Sequence, residues 1–437
     1  MASPGIKLAS TISPANSRYN SATNMNVSGL LASIFFTRLL LTLALVGTLS
    51  STVFLVLAIV AALRYRVRSR REKQLIASTQ ASALPAVTIL KPVHGAEPRL
   101  RENLETFFRQ DYPDFEIVFG ARDPSNKAVS VVEELRRQYP HIKARVVFSG
   151  PPQWPNAKVF SLDKMIASTS NDLLVISDSD VEVSPAFLRN IVPPLLDPKN
   201  GLLTCLYRGV PARSFWSSLE ALGMSVEMTS GVIIADMMEG MRFALGAVIA
   251  LRRDALQKIG GMVSAANYYS DDFVLGNLVW AAGYNVVLSS YIAGHVLMPI
   301  SFVRSFGHQL RWTKSTRYSR PLGHLGTGLT FAMPFGLLGW ISAAALGRPE
   351  LGLALLLAAI LNRVVLCVSS GWGITWDLRA LAFCWLYPLR DLIGFFAWAG
   401  SYFSRTFLWR GELYRFGAGG KITVEHRDAP HPLTDQA

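Results

Sequence analysis

Residues 39–63 (LLLTLALVGTLSSTVFLVLAIVAAL) carry no charge. A helix of that length exceeds the ~20 residues needed to cross a bilayer. Inside a membrane every backbone polar group must be satisfied within its own helix or closed sheet, so the run commits the chain to a membrane helix. It is too long for a signal-peptide core and no small-residue cleavage site follows it, so residues 29–64 are read as a retained anchor. Residues 1–28 are rich in Ser and Asn and are expected to be disordered, with Met25 a second candidate start. Only 17% of the chain is charged, against roughly 25% in soluble domains, and the deficit is local. Residues 327–347 are again uncharged, while 351–370 and 381–403 are apolar but interrupted by Arg363, Arg390 and Asp391. Membrane segments are therefore expected over 327–404. Charges at membrane depth are costly and are commonly paired; Arg363 with Asp391, or Arg390 with lipid phosphate, are the candidates.

Arg64, Arg66, Arg68, Arg70, Arg71 and Lys73 follow the anchor, in a segment (65–84) read as a basic juxtamembrane linker. Basic flanks stay on the cytoplasmic side and sit on anionic headgroups, which places the middle of the chain in the cytoplasm. The same residues account for much of the net charge of +13, so that charge gives no ground for a nucleic-acid partner. The tail, 405–437, carries Arg405, Arg410, Arg415, Lys421 and Arg427, which favours the cytoplasmic side; three full spans before it would place it outside. Cys205, Cys367 and Cys384 have no paired spacing and are read as reduced thiols.

Residues 85–299 have a different texture. Apolar strand-like runs at 86–90, 115–120, 144–148 and 173–176 alternate with helical spacing at 97–110, 126–139 and 157–168. This alternation predicts a parallel α/β sheet, and ligands of such sheets bind beyond the carboxyl ends of the strands. Asp123 and the pair Asp178 and Asp180 all fall at such ends. In Asp178-Ser179-Asp180 the acids are two apart, so in an extended segment both side chains reach one side. Oxygen ligands in that arrangement suit Mg²⁺ or Mn²⁺, which bridge readily to a diphosphate; a polar turn uses the same residue types. A helix near 214–229 and a strand over 244–251 follow. Ser270 then reads as the N-cap of a helix to about 283, with Asp271 and Asp272 in its first turn. Residues 300–320 form an amphipathic helix at the membrane interface. Phe302, Val303, Phe306 and Leu310 fill one arc, and Arg304, His308 and Arg311 the other, which is expected to face the crevice.

Taken in order, these segments resemble the ceramide glucosyltransferase family and its bacterial, hopanoid-associated relatives. The resemblance runs from about 86 to 317. It rests on Leu90-Lys91-Pro92, on Asn103 to Phe108 with Asp111-Tyr112-Pro113, and on Asp123, Asn156 with Lys158, Asp178 with Asp180, Asp272, and Arg311-Trp312. Two departures are visible. The last motif, usually written (Q/R)xxRW, begins here with His308, and the second acidic motif is more complete than in the animal enzymes; both point to the bacterial branch.

The resemblance implies an α/β fold of the GT-A type in a cytoplasmic domain with N-terminal and C-terminal transmembrane helices, in a bacterial inner membrane. It implies an inverting transfer of glucose or N-acetylglucosamine from a UDP-sugar to a hydroxyl of a membrane lipid, ceramide or a hopanoid. In that scheme Asp123, Lys158 and Asp178 bind the donor, and Asp180 with Asp178 holds Mg²⁺ or Mn²⁺. Asp272 is the catalytic base, while His308, Arg311 and Trp312 meet the diphosphate and the acceptor. A processive polysaccharide synthase shares the acidic motifs but usually has Gln at position 308 and more spans. A non-catalytic nucleotide-binding scaffold or transporter is the remaining alternative, and no Gly-rich Lys loop supports it.

Overall fold

The structure is a computed structural model that describes residues 15–95, 97, 99–298, 301–409 and 411–425. It opens on one long helix, α1 (Ala15–Ser78); residues 1–14, within the segment expected to be disordered, lie outside the described residues. The span continues without a break through the basic segment, because that segment is docked. Arg68 pairs with Asp236, Tyr65 donates to the Ser289 carbonyl at 2.8 Å, and Glu72 accepts from Ser289 Oγ and from the Ser290 N–H. Helix α1 and the sheet domain are therefore bonded directly along the basic segment rather than joined by a free linker.

The sheet domain begins with β1 (Val87–Pro92), α2 (Leu100–Phe108), β2 (Phe115–Ala121), α3 (Lys127–Gln138), β3 (Lys143–Phe148), α4 (Ala157–Ala167) and β4 (Leu173–Ser177). Strands β1 to β4 pair in parallel in the order β3-β2-β1-β4. They are apolar because helices cover both faces: Ile89, Ile117 and Val175 face one core, Leu90, Val118 and Ile176 the other. The chain then runs through β5 (Val181–Glu182), α5 (Phe187–Ile191), β6 (Asn200–Pro211), α6 (Phe215–Gly223), a π-helical turn (Met224–Met228), α7 (Thr229–Glu239), β7 (Val248–Arg252), α8 (Arg253–Lys258), α9 (Asp271–Ala281) and β8 (Asn285–Leu297). The full sheet order is β3-β2-β1-β4-β7-β6-β8-β5. Strand β7 is antiparallel to both β4 and β6, and β6 is parallel to β8. The carboxyl ends of β1, β2, β4, β6 and β8 therefore share one edge. This is the α/β architecture of the GT-A type.

The C-terminal part comprises α10 (Phe302–Ser319), α11 (Pro321–Thr327), α12 (Met333–Ala345), α13 (Pro349–Leu366), α14 (Arg379–Ala382) and α15 (Tyr387–Gly400). By length and composition, three described helices can cross a membrane: Gly29–Ser78, Phe215–Glu239 and Pro349–Trp372. The expected span at 327–347 is shorter than its composition suggested. Pro334 at the first turn of α12 and Gly347 at φ +71° limit the helix to 13 residues, about 20 Å at 1.5 Å per residue. Arg363 and Asp391 do pair, at 2.9 Å, and the second Asp391 oxygen accepts the N–H groups of Ala332 and Met333 at the start of α12. Arg390 meets Glu227 at 2.9 Å rather than standing free for a lipid phosphate.

The tail is folded. Strands β9 (Thr406–Trp409), β10 (Glu412–Phe416) and β11 (Ile422–Glu425) form an antiparallel sheet. It docks on the loop before α9: Ile422 N–H donates to the Asn267 carbonyl at 2.8 Å and Tyr269 N–H to Gly420 at 3.3 Å. The Tyr269 ring lies edge-on to Phe407, Trp409 and Phe416. The tail through Glu425 is thus on the same side as the sheet domain.

Candidate active site

The crevice is assembled at the shared strand edge. Lys91, at the end of β1, is fully buried. Its ammonium donates to the Asp178 carbonyl, lies 3.4 Å from Ser177 Oγ, and sits 3.7 Å from the centre of the Phe107 ring. It ties the end of β4 to β1 and so fixes where Asp178-Ser179-Asp180 begins. Burial pushes its pKa down to about 7, against the charges of Asp178 and Asp180. At the start of α4, Asn156 Oδ1 accepts from the N–H groups of Lys158 and Val159, as an N-cap does. Its Nδ2 donates to the Tyr268 carbonyl at 2.8 Å, which binds the start of α4 to the loop carrying the second acid pair.

Lys158 joins the two pairs. Its ammonium is 2.6 Å from Asp178 Oδ1 and 3.9 Å from Asp271 Oδ2. Burial works against the ammonium, yet Asp178 and Asp271 outweigh it and raise its pKa. For Asp178 the balance is reversed in sign: burial alone would raise the carboxyl, and Lys158 holds it below the usual range. Asp272 has no such partner. Burial and then the neighbouring Asp271 push it up to about 7, with the Phe273 N–H and Lys158 opposing. Gly246 leaves the room it needs, since a Cβ there would stand 3.0 Å from Asp272 Oδ2. Ser270 does not cap α9 with its side chain; its hydroxyl bonds instead to Ser315 and accepts from Ser319 at 3.3 Å. The acids therefore owe their setting to burial more than to a capped first turn.

Asp180 lies across from His295, Oδ2 to Nε2 3.6 Å. Asp180 Oδ1 and His295 Nδ1 are buried with no hydrogen-bond partner among the described residues. The His295 ring stacks on Tyr207 at 5.3 Å, and burial followed by the charges of Asp272, Asp178 and Asp180 raises the Tyr207 hydroxyl. No group of three or more His, Cys, Asp or Glu able to hold a metal occurs among the described residues. A cation bound by one or two carboxylates and completed by substrate phosphates, as Mg²⁺ commonly is, fits an orphaned Asp180 oxygen beside a charge-compensated Asp178.

Two predicted site residues behave differently. Asp123 keeps to its own turn, where Oδ1 accepts from the Ser125 hydroxyl and N–H; those bonds hold its carboxyl below the usual range. On α10 the cationic arc does not face the crevice as a unit. Ser305, His308, Gln309 and Trp312 turn inward and Arg304 is exposed. The reason is Glu220 on α6, which is 2% exposed. A buried carboxylate demands donors, and it takes them from His308 Nδ1 at 2.7 Å and Ser305 Oγ at 2.6 Å. His308 in turn lies 4.2 Å from the Trp312 ring, which is 6.3 Å from His295. Burial raises the Tyr269 hydroxyl; the charge of Arg311 opposes that rise and the charges of Asp272 and Asp271 add to it. Tyr207, Glu220 and His295 are not among the residues the sequence marks, and Lys91 is marked only as part of the Leu90-Lys91-Pro92 motif, with no role. Glu220 had a signal, the one charge in an apolar helix (FWSSLEALG), and Lys91 closes an apolar strand. Tyr207 and His295 lie in strands that periodicity did not reveal. A groove of about 630 Å³ lined by Arg109, Asp111, Tyr139 and Lys143 contains none of Asp123, Asp178, Asp180, Asp271 and Asp272.

The family model for glycosyl transferase family 21 matches residues 52–422. Ceramide glucosyltransferase 1 of Caenorhabditis elegans is 22% identical over 360 residues, covering 80% of this chain and 75% of that protein. The ceramide glucosyltransferase of Komagataella phaffii is 36% identical over 113 residues, 25% of this chain and 22% of its own length. Among solved structures, the mannosyltransferase PcManGT from Pyrobaculum calidifontis, in complex with GDP-Man and Mn²⁺, aligns with a TM-score of 0.44 and 17% identity over 80% of this chain and 99% of that one.

Proposed function

The chain belongs to glycosyl transferase family 21, and from that premise we propose that it is an integral membrane enzyme that moves a sugar from a UDP-sugar to a hydroxyl of a membrane lipid, ceramide or a hopanoid, with inversion. The observation that carries the reading is the contrast within the crevice, where Lys158 compensates Asp178 while Asp272 is partly buried beside Asp271 with a pKa pushed up to about 7. A carboxyl with a pKa near the working pH is suited to general-base catalysis.

In this reading Asp123 and Lys158 hold the nucleotide. Asp180, with Asp178, holds Mg²⁺ or Mn²⁺, which when bound supplies Lewis-acid stabilisation of the leaving diphosphate. Asp272 takes the proton from the lipid hydroxyl as its oxygen bonds to the anomeric carbon. The bond from that carbon to the diphosphate oxygen breaks, UDP leaves, and an α-linked donor gives a β-linked product. Arg311, with His308 behind Trp312, meets charge on the diphosphate. Lys91 positions the end of β4. The basic stretch from Arg64 to Lys73 and the basic tail favour the cytoplasmic face of the membrane, the bacterial inner membrane, for the sheet domain.

UDP release measured with and without ceramide or hopanoid in lipid nanodiscs tests the proposal. The expected result is lipid-stimulated release and a β-linked monoglycosylated lipid by mass spectrometry and NMR. A growing saccharide polymer would assign the chain to a synthase, and binding without turnover to a scaffold.

A further inference from the structure

Glu220 is a buried acid that the proposed reaction leaves without a role. It lies in α6 beside Leu219, Ala221 and Leu222, all buried. Among the described residues three other acids are comparably buried, Asp271, Asp377 and Asp391. Each has a lysine or arginine beside it: Asp271 lies 3.9 Å from Lys158, Asp377 2.7 Å from Arg379 and Asp391 2.9 Å from Arg363. Glu220 pairs with neither residue type, and its one ion-pair partner among the described residues is His308. A buried carboxylate is costly, and where stability alone matters an apolar side chain serves as well or better. The charge at position 220 therefore calls for a reason in the site.

The reason lies in what its two oxygens hold. Oε1 is 2.7 Å from His308 Nδ1, Oε2 accepts from Ser305 Oγ at 2.6 Å, and Ser305 Oγ accepts from Gln309 Nε2 at 3.1 Å. The side-chain hydrogen bonds of the carboxylate thus go to one face of α10, at i and i+3. An ionised carboxylate only accepts, so His308 Nδ1 carries a proton and donates it to the bond. The imidazole makes no other hydrogen bond among the described residues, and the side chain is 26% exposed. Its ring lies 4.2 Å from that of Trp312, Trp312 lies 6.3 Å from His295, and His295 Nε2 is 3.6 Å from Asp180 Oδ2. A row of three rings therefore runs from Glu220 to the acidic pair. The base of the row is fixed. Ala221 belongs to a small core against which Tyr207 and Trp312 pack, and α6 sits directly on β6, where a Cβ at Gly209 would stand 2.6 Å from the Ala221 backbone.

We propose that Glu220 is a positioning residue for the transfer step. It commits His308 to a proton on Nδ1 and fixes the ring against Trp312, so that Nε2 and the indole keep one orientation. The inference rests on the lipid-glycosyltransferase reading, in which His308, Arg311 and Trp312 meet diphosphate and acceptor. It adds the group that holds two of them in place. A ring free to turn, or to move its proton between nitrogens, offers a donor where an acceptor is needed or the reverse, and small misplacements near reacting groups are costly in rate. Lys91 and Lys158, not Glu220, hold Asp178. Loss of the Glu220 charge therefore falls on turnover rather than on UDP-sugar affinity.

Full-length protein in lipid nanodiscs tests this in two ways. The chain has seven histidines, and in ¹⁵N-histidine NMR the His308 signal is the one absent from His308→Ala. It is expected to show a proton on Nδ1; a bare Nδ1 in the unmodified protein overturns the role, and that result requires no variant of Glu220. In kinetics with ceramide or hopanoid, Glu220→Gln keeps the size of the side chain and removes its charge. It is expected to lower kcat about tenfold, the scale of one hydrogen bond to a charged group, with UDP-sugar affinity within about twofold. His308→Ala is expected to lower kcat at least as far, and the double variant no further than His308→Ala, because Glu220 acts through His308. Losses that multiply, an unchanged kcat in Glu220→Gln, or an equal loss of UDP-sugar affinity in a variant that is folded by circular dichroism overturns the role. If Glu220→Gln does not fold, the NMR result alone decides. Absence of lipid-stimulated UDP release from the unmodified protein overturns the proposed function and the role with it, whereas intact release with losses that multiply overturns the role alone.

Discussion

Asp178 and Asp272 stand in one crevice, are both partly buried, and are both reached by the charge of Lys158, yet their carboxyls move in opposite directions. Asp178 has the ammonium at 2.6 Å and stays ionised below the usual range. Asp272 has Asp271 as its immediate neighbour, feels Lys158 only weakly, and is pushed up to about 7. Burial is common to both; a directly bonded cation separates them. A charge-compensated carboxylate is suited to holding a cation and a diphosphate. A carboxyl poised near neutrality is suited to taking up a proton. The fold produces the difference by delivering Asp178 from a strand end pinned by Lys91 and Asp272 from a helix start pinned by the tail.

The comparison can be broken by separating the two acids. Asp272→Asn is expected to lower the transfer rate by about 10²–10⁴ while UDP-sugar affinity, read by calorimetry, stays within about twofold. Asp180→Ala is expected to do the reverse, weakening donor binding by about tenfold or more and abolishing its response to added Mg²⁺ or Mn²⁺. An unchanged metal titration would count against that wall as the cation site. Phe416→Ala, which removes a ring packed on Tyr269 from a position 2% exposed, sharpens the role of the tail. It is expected to destabilise the tail sheet by about 3–5 kcal/mol, speed hydrogen exchange at 267–271, and lower kcat several-fold with little change in donor KM. The smallest effect is on stability. The folded state keeps a proton on Asp272 that the unfolded chain, with its ordinary value of 3.8, gives up sooner. This group therefore costs stability as pH rises from about 4 through about 7. Asp272→Asn should raise the thermal midpoint above pH 7 and leave it unchanged near pH 4.

Sequence and structure agree best where one local rule acts alone. Apolar runs such as Val87–Leu90 and Leu173–Ile176, alternating with helices, gave β1 to β4 within a few residues, and with them the edge where Asp123, Asp178 and Asp180 fall. The pairing of Arg363 with Asp391 was legible because charge at membrane depth has few solutions. The other half resisted because its organisation is tertiary. Strands β6 and β8 contain Tyr207 and His295 and a register shift between Cys205 and Leu206, and no period-2 pattern marks them. The inward turn of α10 follows from Glu220, some 85 residues earlier, and cannot be read from the helix itself. The tail looked like a basic extension because its four core side chains, Phe407, Tyr414, Phe416 and Ile422, have meaning only against Tyr269.

The central claim, that proton transfer belongs to the uncompensated acid, is tested most directly by the pH dependence of single-turnover transfer at saturating UDP-sugar and lipid. The account predicts a rate that falls about tenfold per pH unit below about 7 and levels off above it, with the pH-dependent limb missing from the residual activity of Asp272→Asn. A flat profile from pH 5 to 9 in the unmodified protein, or the same inflection retained in Asp272→Asn, would contradict it.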